Sequence, residues 1–282
     1  MNMVYRALLL CFLCFQALAQ YQGVAQDQTL LIGVVEKKVS QNIDTVTSYS
    51  EFAQYYSTAS TVTINGSSEV NYMAHAVRAF FFNGGRVLKV MAISDRSLQS
   101  YLNAVQSLQG EVESKIVLTP GASLLSLNEK ISLMQVKGSI ADKLFIINAN
   151  LNQSIADLQL LASAAPYENL VLLSSWINSH LSSSGNVVSI PSAAFYAGTI
   201  AKVDYQRGIH KAPANVPLVG VDSLAINYTR SERNTLTQAH VVPLFNFPGR
   251  GFVFFGARNL SRNPEQWYIS IYRLKRFVTE SI

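Results

Sequence analysis

The sequence predicts an α/β fold: a mostly parallel sheet covered by helices, followed by a smaller, incomplete α+β C-terminal domain. Three observations predict it. Short β-branched runs alternate with helical runs between residues 29 and 206, a spacing that calls for crossover connections. Strand candidates such as LFII (Leu144–Ile147) are almost continuously apolar, as in a sheet covered on both faces. From Leu224 onward the pattern changes to one helical run and two long runs rich in Phe, Val and Tyr.

The elements follow in order. Thr29–Val35 (TLLIGVV) is a strand. Gln41–Glu69, rich in Ser and Thr, reads as loop with one short helix. Asn71–Phe82 is a helix closed by Gly84 and Gly85. Arg86–Ile93 alternates like a strand. Asp95–Gln109 is helical, with Leu98, Leu102, Val105 and Leu108 on one side. Lys115–Leu118 is a short strand, and Ser123–Gly138 a helix with Leu125, Leu127, Ile131 and Met134 apolar. Asp142–Asn148 is a strand, Ser154–Ala165 a helix stopped by Pro166, and Asn169–Ser175 a strand. Ser192–Gln206 and Ser231–Ala239 are helices.

Three segments result: residues 1–19 as a signal-peptide-like segment, 20–223 as the α/β core domain, and 224–282 as the C-terminal domain. Arg6, the apolar run Ala7–Phe15 and the small-residue pattern Ala17-Leu18-Ala19 define the first. That run is too short to span a bilayer. Both cysteines, Cys11 and Cys14, lie in it, so a processed chain would carry neither disulfide nor thiolate chemistry.

Hydrophobic residues make up 49% of the chain and charged residues 14%. So little charge suggests surface that neighbouring subunits cover. The net charge of +5 comes without a long basic run, which argues against nucleic acid as a partner.

No residue is nominated as catalytic, cofactor-binding or metal-binding, and no cofactor is implied. The four histidines, His75, His180, His210 and His240, have neither metal-pair spacing nor cysteine partners. Asn83-Gly84-Gly85 resembles half of a dinucleotide loop but follows a helix, so it reads as a helix stop. Asp142 and Asp157 stand alone, without the paired carboxylates of acid–base work. Asp204 and Arg207, three apart on a helix, read as a surface ion pair. Asn-x-Ser/Thr sequons at Asn65, Asn152, Asn227 and Asn259 are too short a pattern to carry weight.

The stretch FPGRGFVFFGARNLS (Phe247–Ser261) holds no acid and no histidine. As a strand it would put Arg250, Phe252, Phe254, Gly256 and Arg258 on one face and Val253, Phe255 and Ala257 on the other. Both faces are apolar in the middle, so it reads as a strand covered on both sides. Gly256 would leave room for another backbone, and rim arginines could hold carboxylates or carbonyls. A core strand with solvated arginines is the equal alternative.

Pro248–Ile282 (PGRGFVFFGARNLSRNPEQWYISIYRLKRFVTESI) resembles the start of the C-terminal domain of contractile phage tail sheath proteins. The family includes sheath subunits of phage-tail-like contractile injection particles. Tyr205–Val221 (YQRGIHKAPANVPLVGV) is similar to a sheath motif in which Arg and Gly precede a Lys-Ala-Pro-Ala-Asn run. Ala74–Val90 resembles the family's helix, Asn-Gly-Gly stop and strand, and TLLIGVVEKKVSQNIDTVTSYSEFAQYY its first strand and following helix.

The resemblance implies a homo-oligomeric structural subunit, not an enzyme, stacked in helical rows around an inner tube. It implies strand addition between neighbours, rigid-body contraction, and partners in other sheath subunits, a tube protein and baseplate components. It implies no nucleic acid and no small-molecule substrate. By resemblance the setting is a virion tail or contractile particle assembled in the cytoplasm; the N-terminal segment argues instead for export. Family members continue past the final helix with a further helix and a strand arm, so the C-terminal domain reads as truncated. Trp267, Ile271, Leu274, Val278 and Ile282 share one face of that helix as a core-type stripe. The alternative function is an exported α/β ligand-binding or enzyme-like protein on a sheath-derived scaffold.

Overall fold

The computed structural model describes residues 28–38, 45–180 and 187–281. The signal-peptide-like segment, with Cys11 and Cys14, lies outside them, as does Ile282. Among the described residues no helix is long and apolar enough to cross a membrane.

β1 (Thr29–Gly33) is buried throughout, as its TLLIG run demands. β2 (Thr45–Val46) leads into α1 (Tyr49–Tyr55), whose cap Ser48 accepts the Glu51 N–H. β3 (Thr61–Ile64) and β4 (Ser67–Val70) form an antiparallel hairpin within the stretch expected to be loop. Its turn is Asn65-Gly66, both at positive φ, the usual two-residue hairpin connection.

α2 (Tyr72–Phe82), capped by the Asn71 side chain, precedes β5 (Leu88–Ala92). α3 (Leu98–Gln106) starts from Ser97, and β6 (Ile116–Leu118) runs into a 3-10 turn, Pro120–Leu124. α4 (Leu127–Gly138) begins only after that turn, because Ser126 and Glu129 form a capping box. The single helix expected over Ser123–Gly138 is thus split in two.

β7 (Leu144–Asn148) is followed by α5 (Ile155–Ala164), with a second capping box from Ser154 and Asp157. β8 (Leu170–Leu173), β9 (Trp176–Ser179) and β10 (Val188–Pro191) come before the long, buried α6 (Ala193–Arg207). The C-terminal part holds β11 (Ser223–Leu224), α7 (Arg230–Gln238), β12 (Val241–Val242), β13 (Leu244–Phe247), β14 (Gly251–Phe254) and α8 (Ile269–Ser281).

The main sheet has seven strands in the order β12-β8-β7-β6-β1-β5-β2, all parallel except the edge strand β2. The chain winds outward from β1 in both directions, so the topological switch lies between β1 and β6. Alternate residues feed two cores. Leu31, Leu118 and Ile146 pack with Phe80 of α2 and Ile200 of α6. Leu30, Val117 and Phe145 pack with Val105 of α3, Met134 of α4 and Leu161 of α5 on the other face. β12, from the segment after residue 223, completes the main sheet beside β8. β13 and β14 form a separate hairpin, and β11 joins β9 and β10 in a small antiparallel sheet.

α2 and α6 cross in close contact. A Cβ built on Gly198 of α6 would sit 2.5 Å from the Phe80 carbonyl oxygen of α2. Neither backbone can yield without moving its helix. Gly198→Ala is therefore expected to cost about 1–3 kcal/mol, read as a lower thermal midpoint.

Candidate assembly surface

An open α/β sheet takes ligands at the carboxyl ends of its strands, beside the topological switch. Here that position is filled from inside. The Met73 side chain packs on Gly33 at the end of β1, where an added Cβ would meet Sδ at 2.6 Å. Arg96 lies over the Tyr72 ring, 4.9 Å from its centroid, and pairs with Glu69 of the hairpin.

Past β7 and β8 the polar groups bond to one another. Asn148 Oδ1 accepts the Ala193 N–H at 2.7 Å, which caps α6, and its Nδ2 donates to the Ser175 carbonyl at 2.9 Å. Ser192 Oγ donates to the same carbonyl at 2.8 Å, while Ser175 Oγ accepts the Leu244 N–H at 2.9 Å. These are amides and hydroxyls with no base among them, an arrangement suited to joining strands and helix. Among the described residues no group of three His, Cys, Asp or Glu could hold a metal ion.

The residues weighed for chemistry lie apart. His75 is buried in α2, and His210 is exposed beyond α6. His180 Nδ1 lies 2.6 Å from Asp222 Oδ2. His240 Nδ1 lies 2.9 Å from the Asn259 carbonyl oxygen, and burial lowers its pKa. Asp157 serves its capping box, and Asp142 lies 3.4 Å from Lys143. Asp204 does not pair with Arg207. It holds Arg273 of α8, a partner that helical spacing could not reveal.

The aromatic stretch also differs from its expected form. β14 ends at Phe254, and Gly256 takes φ +106°, so the alternation does not extend to Arg258. Nothing lies within 4 Å of a Cβ built on Gly256; its glycine serves the backbone angle and not a close approach. Arg250 stacks over the Phe247 ring at 5.1 Å and Arg258 over the Trp267 ring at 5.2 Å. Arg258 Nη1 also donates to the Thr237 carbonyl at 3.0 Å.

Three sequence blocks do come together. Asn83 Nδ2 donates to the Val219 carbonyl at 3.1 Å and its Oδ1 accepts the Val219 N–H at 3.0 Å. That amide clamps the Ala74–Val90 block onto Tyr205–Val221. The latter lies in turn along β14, through Asn215 N–H to Phe254 O at 3.2 Å and Leu218 N–H to Phe252 O at 2.9 Å. At the rim Tyr205 is 72% exposed and Phe82 47%. Arg86 stacks on Tyr205 at 4.3 Å, and Arg78 lies over both Tyr49 and Phe82. Large aromatics held by arginines are typical of protein contact surfaces.

α8 inverts the usual rule. Its buried residues are Ile269, Tyr272, Arg273 and Arg276. Arg273 makes a bidentate pair with Asp204, Nη1 to Oδ1 at 2.8 Å. Glu280 bridges Arg276 Nε at 3.3 Å and Lys115 Nζ at 3.0 Å, and Tyr272 Oη donates to the Ala141 carbonyl at 2.7 Å. Those contacts turn the expected core stripe outward, with Ile271, Leu274 and Val278 each more than 40% exposed. Trp267 packs edge-on to His240, off the stripe.

A family model for the phage tail sheath protein central domain matches residues 87–260. No curated protein matches the chain. Among solved structures, the chain is similar to one in the six-fold symmetrised cryo-EM structure of the anti-feeding prophage baseplate. Identity there is 18% and the TM-score 0.74, over 91% of this chain and 68% of that one. A chain of the anti-feeding prophage helical sheath in the contracted state is 17% identical, with TM-score 0.72, over 92% and 70%. The sheath tail protein of Listeria innocua is 9% identical, with TM-score 0.64, over 93% and 77%.

Proposed function

Because the chain belongs to the phage tail sheath protein family, we propose that it polymerises around an inner tube and works by rigid-body contraction between two subunit packings. The family is structural and its members are not enzymes. The observation that carries the proposal is the family match over residues 87–260, more than half of the chain. The exposed aromatic–arginine rim and the outward stripe of α8 support a molecule that acts through contacts. Residues 20–223 serve as the α/β core body and residues 224–282 as the C-terminal-type part. The partners are copies of itself, a tube protein and baseplate components. The setting is a phage tail or contractile particle assembled in the cytoplasm.

Negative-stain electron microscopy of the chain co-expressed with a tube protein tests this. Tubes or stacked rings are expected. Persistent monomers in the presence of tube would overturn it.

A further inference from the structure

The ends of α2 and α6 meet in a cleft of about 270 Å³, lined by Phe82, Asn83, Gly84, Lys202, Tyr205 and Gln206. It is too small for a cofactor-sized ligand and large enough for one or two side chains. The Lys202 stem packs on Gly84, where an added Cβ would lie 2.6 Å from the lysine Cβ. Arg86 stands over the Tyr205 ring at 4.3 Å, and Arg78 over the Phe82 ring at 5.5 Å. Two exposed aromatics thus form the apolar walls, each with a guanidinium on it.

Charge around the cleft has one sign. None of the lining residues is acidic. Among the described residues Arg86, Lys202 and Arg207 have no ion-pair partner. Asp204, the carboxylate in the last turn of α6, is taken by Arg273. The dipole of α6 favours a cation in that turn, which accounts for Arg207. Lys202 lies more than a turn from the helix end, and Arg86 lies past the Gly84-Gly85 stop of α2, so neither serves a helix terminus. A segment of a second copy does not supply the complement. The sequence has no two adjacent acidic residues, and its most closely spaced pair, Glu111 and Glu113, already holds Lys89.

We infer that this cleft docks an acidic segment of another protein, with carboxylates on Lys202 and Arg86 and an apolar side chain between Phe82 and Tyr205. The inference goes beyond the sheath reading and does not depend on it.

Fluorescence anisotropy of the full chain with a fluorescein-labelled peptide of glutamate and leucine tests it. That peptide should bind about tenfold or more tighter than its counterpart with glutamine for glutamate. Its affinity should fall as salt rises from about 0.01 to 1 M. Lys202→Glu and, separately, Arg86→Glu should each weaken binding about tenfold or more, with unchanged circular dichroism. The chain carrying both reversals should instead prefer a peptide of lysine and leucine. Arg230→Glu, the same charge change at the exposed start of α7, should leave binding unchanged. Equal binding of the glutamate and glutamine peptides, or affinity that both reversals leave intact, would overturn the inference. So would an oligouridylate that binds more tightly than the glutamate peptide. Tubes without peptide binding would overturn this inference alone, and peptide binding without tubes the sheath reading alone.

Discussion

Asp204→Ala should destabilise the fold by about 3–5 kcal/mol, because it leaves a buried guanidinium without its counter-charge. The Arg273 side chain is 2% exposed and that of Asp204 8%. Arg273 lies on α8, 69 residues on from the α6 carboxylate, so the pair helps seat the last helix beside the contacts of Arg276, Tyr272 and Glu280. Its loss should lower the thermal midpoint by about 10 °C. The double variant Asp204→Leu with Arg273→Met should recover most of the loss, since a packed apolar pair of similar volume replaces a buried ion pair at little cost. Urea titrations of the three variants decide the matter. A single variant within error of the wild type would mean that α8 is held by something else.

Lys137→Met should act in the opposite direction, raising stability at neutral pH by about 1–4 kcal/mol. Lys137 is buried, its Nζ donating to Thr119 Oγ1 at 2.7 Å. Lys130, two turns earlier on α4, donates to the Ser123 carbonyl at 3.0 Å and to Asn150. No carboxylate lies among these contacts. Burial pushes both amines down to about 7, and for Lys137 the charge of Lys130 adds to it.

In the unfolded chain each lysine keeps its proton to near its ordinary value, about 10.4. Between pH 7 and that value the unfolded state binds more protons, so stability should rise with pH by about 1.4 kcal/mol per unit per lysine. Below pH 7 both states are protonated and the two lysines contribute no slope. Glu111, held down to about 2 against the opposing effect of burial by bonds from Lys143 and Ser114, adds stability that is lost only on acidification, well below this window. Chemical denaturation from neutral to alkaline pH should show the rise in the wild type and roughly half of it in Lys137→Met. A flat wild-type profile would show that these amines stay charged when folded.

Much of the main sheet was legible in local pattern. Runs such as LFII (Leu144–Ile147) are apolar at every position because both faces are covered, and α2 is bounded by Asn71 and the Gly84-Gly85 turn in sequence as in space. The β3–β4 hairpin carried its signal in TVTI-NG-SSEV. It was obscured because SSEV is polar and only half covered, so one of its two strands has no apolar face. β9 and β10 are four residues each and take their partners from one another and from β11, a pairing that a short window does not contain. In the candidate surface, Asn83 was legible as a helix stop, whereas its clamp on Val219 spans 136 residues.

By itself the sequence determined the alternation of strand and helix, most helix ends, and the blocks that mark the sheath family. These properties reside in neighbours a few residues apart, where periodicity and capping act. Only the tertiary structure decided that α8 turns its apolar stripe outward, that Asp204 chooses Arg273 over Arg207, and that Gly256 ends a strand. The first two depend on which charges become desolvated against which, a balance struck between segments that meet only when the chain is folded; the third depends on the positive φ of Gly256.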